Sequence, residues 1–141
     1  MTANSILHIL LADDDADDRF LVQEAFDEAG AKVQWESVST EPELLHRLDA
    51  KQKLPDLLLL DWNLRPGGGP ELLQFIRKHA HVCFLPVIVM STSSVPEDIK
   101  NAYRFGANSY IIKPSSYNDL VNTFKSLYEF WGHIVRLPPE H

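Results

Sequence analysis

The sequence predicts an α/β fold, a doubly wound parallel sheet of five strands with helices packed on both faces. Apolar runs too short to be buried helices alternate five times with stretches of helical period. That alternation builds parallel strands joined by right-handed helical crossovers. With 141 residues, 45% of them hydrophobic, there is material for one core and one domain over 1–141.

The elements follow in order. "ILHILLA" (6–12) is the first strand, and it runs straight into five carboxylates in six positions, Asp13, Asp14, Asp15, Asp17 and Asp18. Leu21, Val22, Ala25, Phe26 and Ala29 then recur at helical spacing until Gly30, a natural helix stop. "VQWESV" (33–38) alternates apolar and polar, as an edge strand with one solvated face does. Thr40 and Glu43 form a capping-box pattern ahead of Leu44, Leu45 and Leu48. "DLLLLDW" (56–62), the most apolar run, is the expected sheet centre. Pro66 to Gly69 form a loop before a short helix bearing Leu72, Leu73 and Ile76. "PVIVMS" (86–91) is the fourth strand, and Ser94 with Glu97 predicts a capped helix ending near Gly106. "NSYIIK" (108–113) is the fifth strand, stopped by Pro114, and Leu120, Val121, Phe124, Leu127, Tyr128 and Trp131 line the last helix. Gly132 and "LPPEH" mark a tail over 132–141, too short for an effector domain, so the folded core is expected over about 6–131.

Composition narrows the function. A net charge of −7 argues against a nucleic-acid groove binder, which carries a basic stripe. Cys83 is the only cysteine, so no internal disulfide or thiolate cluster forms, which suits a reducing cytoplasm. No signal-peptide pattern opens the chain, and no apolar run reaches the roughly 20 residues of a membrane span. The histidines lack metal-ligand spacing, and Gly67 to Gly69 do not form a nucleotide loop.

In an open parallel sheet, ligands bind outside the carboxyl ends of the strands. Asp13 and Asp14 follow the first strand, and Asp61, Ser91 and Lys113 close the third, fourth and fifth. If the sheet forms, these five converge on one cleft. Like-charged carboxylates at about 4 Å repel by about 4 kcal/mol per pair at an effective dielectric near 20. A divalent cation offsets this, and an all-oxygen donor set selects Mg²⁺. A carboxylate beside such a metal, an ammonium and a hydroxyl is suited to receive a phosphoryl group as nucleophile. Asp15, Asp17 and Asp18 read as first-turn helix residues favoured by the positive end of the dipole.

"ILLADDDADD", "LLLLDWNL", "VIVMSTS" and "GANSYIIKP" resemble, in order and spacing, the signature motifs of response-regulator receiver domains, the phosphoacceptors of two-component signalling. Within that family the chain most resembles the single-domain regulators paired with cyanobacterial phytochromes, which share the Asp17–Asp18 pair and a tail like "FWGHIVRLPP". The resemblance implies a CheY-like, flavodoxin-like fold with strand order 2-1-3-4-5. It implies Asp61 as phosphoacceptor for a sensor histidine kinase or phosphotransfer protein. Mg²⁺ would be held by Asp14, Asp61 and the backbone carbonyl of Asn63, with Asp13 acting through a water. Ser91 and Lys113 would contact the phosphoryl group, and Ser91 with Tyr110 would form the switch. Lys113–Pro114 would be a cis peptide bond. Departures from the family pattern are Ser91 for the commoner threonine, the Arg65-Pro66 step, Gly68 for a frequent acid, and the bulky Trp62.

The resemblance further implies a signalling protein, not an enzyme, acting on an unspecified downstream protein without nucleic acid or membrane. The expected contact face is the fourth helix, fifth strand and fifth helix, with Tyr103, Arg104, Tyr110 and Tyr117, and a homodimer through it is plausible. An aspartyl-phosphate phosphatase would need an acid two residues after its nucleophile, where Asn63 stands. A non-phosphorylated docking module would not require the intact pocket. A flavodoxin-type FMN site would meet repulsion from the acidic first loop.

Overall fold

The computed structural model describes residues 6–49 and 51–139; residues 1–5, 50 and 140–141 of the expected domain and tail lie outside them. Five strands, β1 (Leu7–Ala12), β2 (Val33–Val38), β3 (Leu57–Asp61), β4 (Val87–Ser91) and β5 (Ser109–Ile112), form one parallel sheet in the order β2-β1-β3-β4-β5. The helices between and after them are α1 (Ala16–Glu28), α2 (Glu41–Arg47), α3 (Gly69–Lys78), α4 (Pro96–Arg104) and α5 (Tyr117–Glu129).

Strand burial follows the sequence pattern. Every residue of β3 and β4 is buried, whereas the alternating β2 lies at the edge, half-exposed. Successive side chains of a strand point to opposite faces. Leu58, Leu60, Val87 and Val89 therefore pack with Leu44, Leu72, Leu73, Ile76 and Ala102 beneath α2, α3 and α4. Leu57, Leu59, Ile88 and Met90 face α1 and α5, where Phe26 and Phe124 stack at 4.3 Å between ring centroids. Each fully buried leucine contributes roughly 1.5–3 kcal/mol.

Two local features differ from expectation. Ser94 and Glu97 do not cap α4; its N-cap is Val95, with no side-chain cap bond and Pro96 in the first turn. The Asp98 N–H that a cap would take bonds to the Val95 carbonyl, and Asp98 itself accepts from Ser93 Oγ at 2.5 Å. The second difference lies at the carboxyl end. The helical path continues beyond Trp131 as a π-helical stretch, Phe130–Ile134, in which Gly132 is buried and Leu137 returns to pack against the core beside α1 and α5.

On the outer strand β2, Glu36 accepts from Arg47 Nε and Nη2, and lies 2.7 Å from His8 Nε2. Hydrogen bonding from Arg47, aided by His8 and opposed by desolvation, holds the Glu36 carboxyl down at about 2 against an ordinary 4.5. A depressed folded-state pKa adds stability above the unfolded value, and this is lost as pH falls through the folded one. Between pH 4.5 and 2, unfolding experiments on Glu36→Gln should therefore show a flatter loss of stability than wild type. Glu36 is about a third exposed, so solvent screening keeps the difference small.

Candidate functional site

Parallel register brings the strand ends level. Ala12 pairs with Leu60, Asp61 with Met90 and Ser91 with Ile112, so the residues at and just beyond these ends share the carboxyl edge. Asp13 extends β1, its N–H bonding to the Val38 carbonyl at 3.1 Å, and is 1% exposed. Asp61 closes β3 and is buried, while Asp14 is exposed. One carboxylate oxygen from each of Asp13, Asp14 and Asp61 lies within 4.8 Å of the others.

The donor set fits Mg²⁺. It consists of hard oxygens with no thiolate or imidazole among them. Octahedral Mg²⁺ binds oxygen at about 2.1 Å, so its ligand oxygens lie within about 4.2 Å of one another, close to the 4.8 Å within which these carboxylate oxygens fall. The electrostatics also favour a cation. Burial raises the Asp13 carboxyl to about 6; the Asp15 N–H and Lys113 pull it down, and the neighbouring Asp61 and Asp18 push it up.

Loop hydrogen bonds hold Asp13 and Asp61 in place. The Asp15 N–H donates to Asp13 Oδ1 at 2.9 Å, and the Arg19 guanidinium donates to the Asp13 carbonyl at 2.7 Å. The Asn63 N–H donates to Asp61 Oδ1 at 3.1 Å, which draws the first residues of the β3–α3 loop around the Asp61 carboxylate. Lys113 donates its backbone N–H to the Ser91 carbonyl at 2.7 Å, joining the ends of β4 and β5.

Ser91, Ser93 and Tyr110 form a connected chain. Ser91 is buried, and its Oγ accepts from the Ser93 N–H at 3.1 Å. The Ser93 carbonyl in turn accepts from Tyr110 Oη at 2.9 Å, and the Tyr110 ring packs against the core under α4.

Lys113 joins the site through two carboxylates. Its Nζ bonds Asp18 Oδ2 at 3.0 Å and Asp13 Oδ2 at 3.3 Å. Burial acts to lower its pKa, but Asp61, Asp13 and Asp18 together outweigh burial and hold the ammonium above its ordinary value. Asp18, read from the sequence as a helix-dipole residue only, is therefore part of the site's rim. Asp15 does serve α1 as expected, accepting from the N–H groups of Asp17 and Asp18.

The cis peptide bond is also elsewhere. Arg65–Pro66 is cis and Lys113–Pro114 is trans. The two isomers of an X–Pro bond differ by only about 0.5–1 kcal/mol, so the surrounding fold, not the dipeptide, selects between them.

The model for the response regulator receiver domain matches residues 9–125, most of the chain and all of the site. The chain belongs to this family. It is a CheY-like receiver of the two-component type, and its resemblance to the phytochrome regulators extends to solved structures. The phosphorylated cyanobacterial phytochrome response regulator RcpA is 31% identical, with a TM-score of 0.86, covering 96% of this chain and 100% of RcpA. The response regulator Rcp1 in its Mn²⁺-bound form is 28% identical at a TM-score of 0.84, covering 94% and 99%. The probable methanogenesis regulatory protein FilR2 of Methanothrix harundinacea is 32% identical over 128 residues, 87% of this receiver and 82% of FilR2. Among the described residues, no helix of the receiver is long and apolar enough to cross a membrane.

Proposed function

We propose that this receiver accepts a phosphoryl group on Asp61 from the phosphohistidine of a sensor kinase or phosphotransfer protein, with Mg²⁺ bound at the same site. The observation that carries the reading is the convergence of Asp13, Asp14 and Asp61 within 4.8 Å at one strand edge, with Lys113 ion-paired to Asp13. In this reading Asp14, Asp61 and the Asn63 carbonyl would hold the metal directly and Asp13 would act through a water. When bound, Mg²⁺ would supply neutralisation of the charge on the phosphoryl oxygens. A carboxylate oxygen of Asp61 bonds to phosphorus as the phosphorus–nitrogen bond to the donor imidazole breaks. The electron pair goes to the ring nitrogen, which takes a proton from solvent. Lys113 and the Ser91 hydroxyl contact the phosphoryl oxygens.

Signalling follows from the Ser91–Ser93–Tyr110 chain. Drawing the Ser91 hydroxyl onto a phosphoryl oxygen loosens its bond with the Ser93 N–H, and with it the carbonyl that holds Tyr110. The change would be read on α4, β5 and α5, where Tyr103, Ile112 and Tyr117 are exposed, by a downstream protein or a second copy of the chain. The cytoplasm suits such a protein with a single free cysteine, Cys83.

Intact mass after incubation with acetyl phosphate and Mg²⁺ tests the reading. One phosphoryl adduct is expected on the wild type, and none on Asp61→Asn or without Mg²⁺. An adduct that persists in Asp61→Asn removes Asp61 as the acceptor.

A further inference from the structure

We infer that Asp18 tunes the phosphoryl site by competing with the bound anion for Lys113, so that it limits both anion affinity and phosphoryl lifetime. This rests on the phosphoacceptor reading and goes beyond it, because Asp18 is neither acceptor nor metal ligand there.

The geometry begins at the helix cap. Asp15 accepts from the N–H groups of Asp17 and Asp18, fixing the first turn of α1 beside the β5–α5 connection. Asp18 Oδ2 is thereby 3.0 Å from Lys113 Nζ, closer than the buried Asp13 Oδ2 at 3.3 Å. The two partners differ in environment. The Asp13 side chain is 2% exposed and the Lys113 side chain 17%, whereas that of Asp18 is 39% exposed. The Asp18 contact is thus the solvated and releasable half of the clasp. Among the described residues Lys113 makes no ion pair with Asp61 itself.

An ammonium has three donors, and two are engaged. Phosphorylation turns the Asp61 carboxylate into an acyl phosphate of about −1.5 to −2 charges, so the site becomes about one charge more negative. Asp18 opposes its arrival in two ways: it holds the cation that would neutralise the group, and it adds a negative charge at the rim. Both act in the same direction. Removing the charge with Asp18→Asn therefore strengthens anion binding while leaving the helix start intact, since Asp15 provides the cap.

Beryllofluoride with Mg²⁺, titrated into the full chain, measures the effect at equilibrium, and decay of the acetyl-phosphate adduct measures it kinetically. Asp18→Asn should bind beryllofluoride about two- to fivefold tighter than wild type, the upper part of the range for a partly exposed ion pair. The adduct should live correspondingly longer. Asp17→Asn, which removes the same dipole-favoured charge one residue away from the clasp, should change either quantity by less than about twofold. In a Lys113→Ala background the gain from Asp18→Asn should fall to less than half. Unchanged or weaker binding by Asp18→Asn overturns the inference, as does an equal gain in Asp17→Asn or an undiminished one in the Lys113→Ala background. Failure of the wild type to bind beryllofluoride with Mg²⁺ is a different result, and it removes the phosphoacceptor reading and this inference together.

Discussion

Arg77→Met is expected to cost the fold about 3–5 kcal/mol, and to lower its melting temperature by more than about 10 °C. Arg77 stands near the end of α3, half-buried, and its guanidinium donates to four acceptors. Nε bonds the Gly106 carbonyl at 2.9 Å, Nη1 bonds the Cys83 and Leu85 carbonyls at 2.9 and 2.7 Å, and Nη2 bonds Asn108 Oδ1 at 2.9 Å. One side chain thus ties α3 to the turn entering β4 and to the loop entering β5. Asn108 Oδ1 also accepts from the Val87 N–H at 2.8 Å, so the clamp extends into the first residue of β4. Burial pulls the guanidinium below its ordinary pKa, and among the described residues it forms no ion pair with a carboxylate. Methionine keeps the aliphatic stem that covers Gly106 but leaves the carbonyls to find water or remain unpaired, at about 1–3 kcal/mol for each that stays buried. Arg77→Lys retains the charge without the planar fork and should fall between the two. The clamp acts at the amino edge of the sheet, remote from the carboxylates. Urea unfolding should therefore report the loss while Mg²⁺ affinity, measured on the folded protein, stays at the wild-type value; a parallel fall in affinity would contradict this account.

What the sequence made legible follows from which interactions are local. The strands were readable because sheet burial demands runs such as 57–60 and 87–90, and β2 matched its expected 33–38 because alternation marks an edge. Asp13, Asp14, Asp61, Ser91 and Lys113 were readable as sharing one edge of the sheet because each ends or follows a strand, and parallel topology gathers strand ends without further information. The Asp18–Lys113 contact was not readable. It joins residues 95 positions apart, and an acid in the first turn of a helix already has a sufficient local reason to be there. Arg77 was missed for a similar reason, since a lone arginine on a helix normally faces solvent. The Ser94–Glu97 pattern misled because Ser93, one residue earlier, serves the Val95 N–H and Asp98 instead. The cis bond was assigned to the wrong proline because the dipeptide itself scarcely distinguishes the isomers.

Gly69→Ala is expected to damage the site as well as the fold. Gly69 begins α3, and its N–H donates to the Trp62 carbonyl at 2.9 Å. A methyl group there would overlap the Trp62 ring, falling closest to Cε3 and reaching 2.9 Å from Cζ3. The ring cannot easily yield, because Trp62 is 7% exposed among Leu64, Leu72 and the rest of that core, and its main chain is tied down by the backbone N–H donating to the Met90 carbonyl. Overpacking of this kind costs about 1–3 kcal/mol. The strain falls between Asp61 and Asn63, the two residues flanking Trp62. Any relief that shifts the Trp62 backbone also moves the Asn63 N–H that holds Asp61 Oδ1. Mg²⁺ affinity should therefore fall about tenfold in Gly69→Ala, since a misplacement near 1 Å is felt strongly at a preorganised site. Combining Gly69→Ala with Trp62→Leu removes the ring that the methyl group meets, and should restore most of the Mg²⁺ affinity even though the smaller side chain leaves the core less stable. Metal titration of the wild type and the two variants separates the two effects. If the double variant binds Mg²⁺ no better than Gly69→Ala, the contact between Trp62 and Gly69 does not position the loop; recovery of affinity without recovery of stability shows that it does.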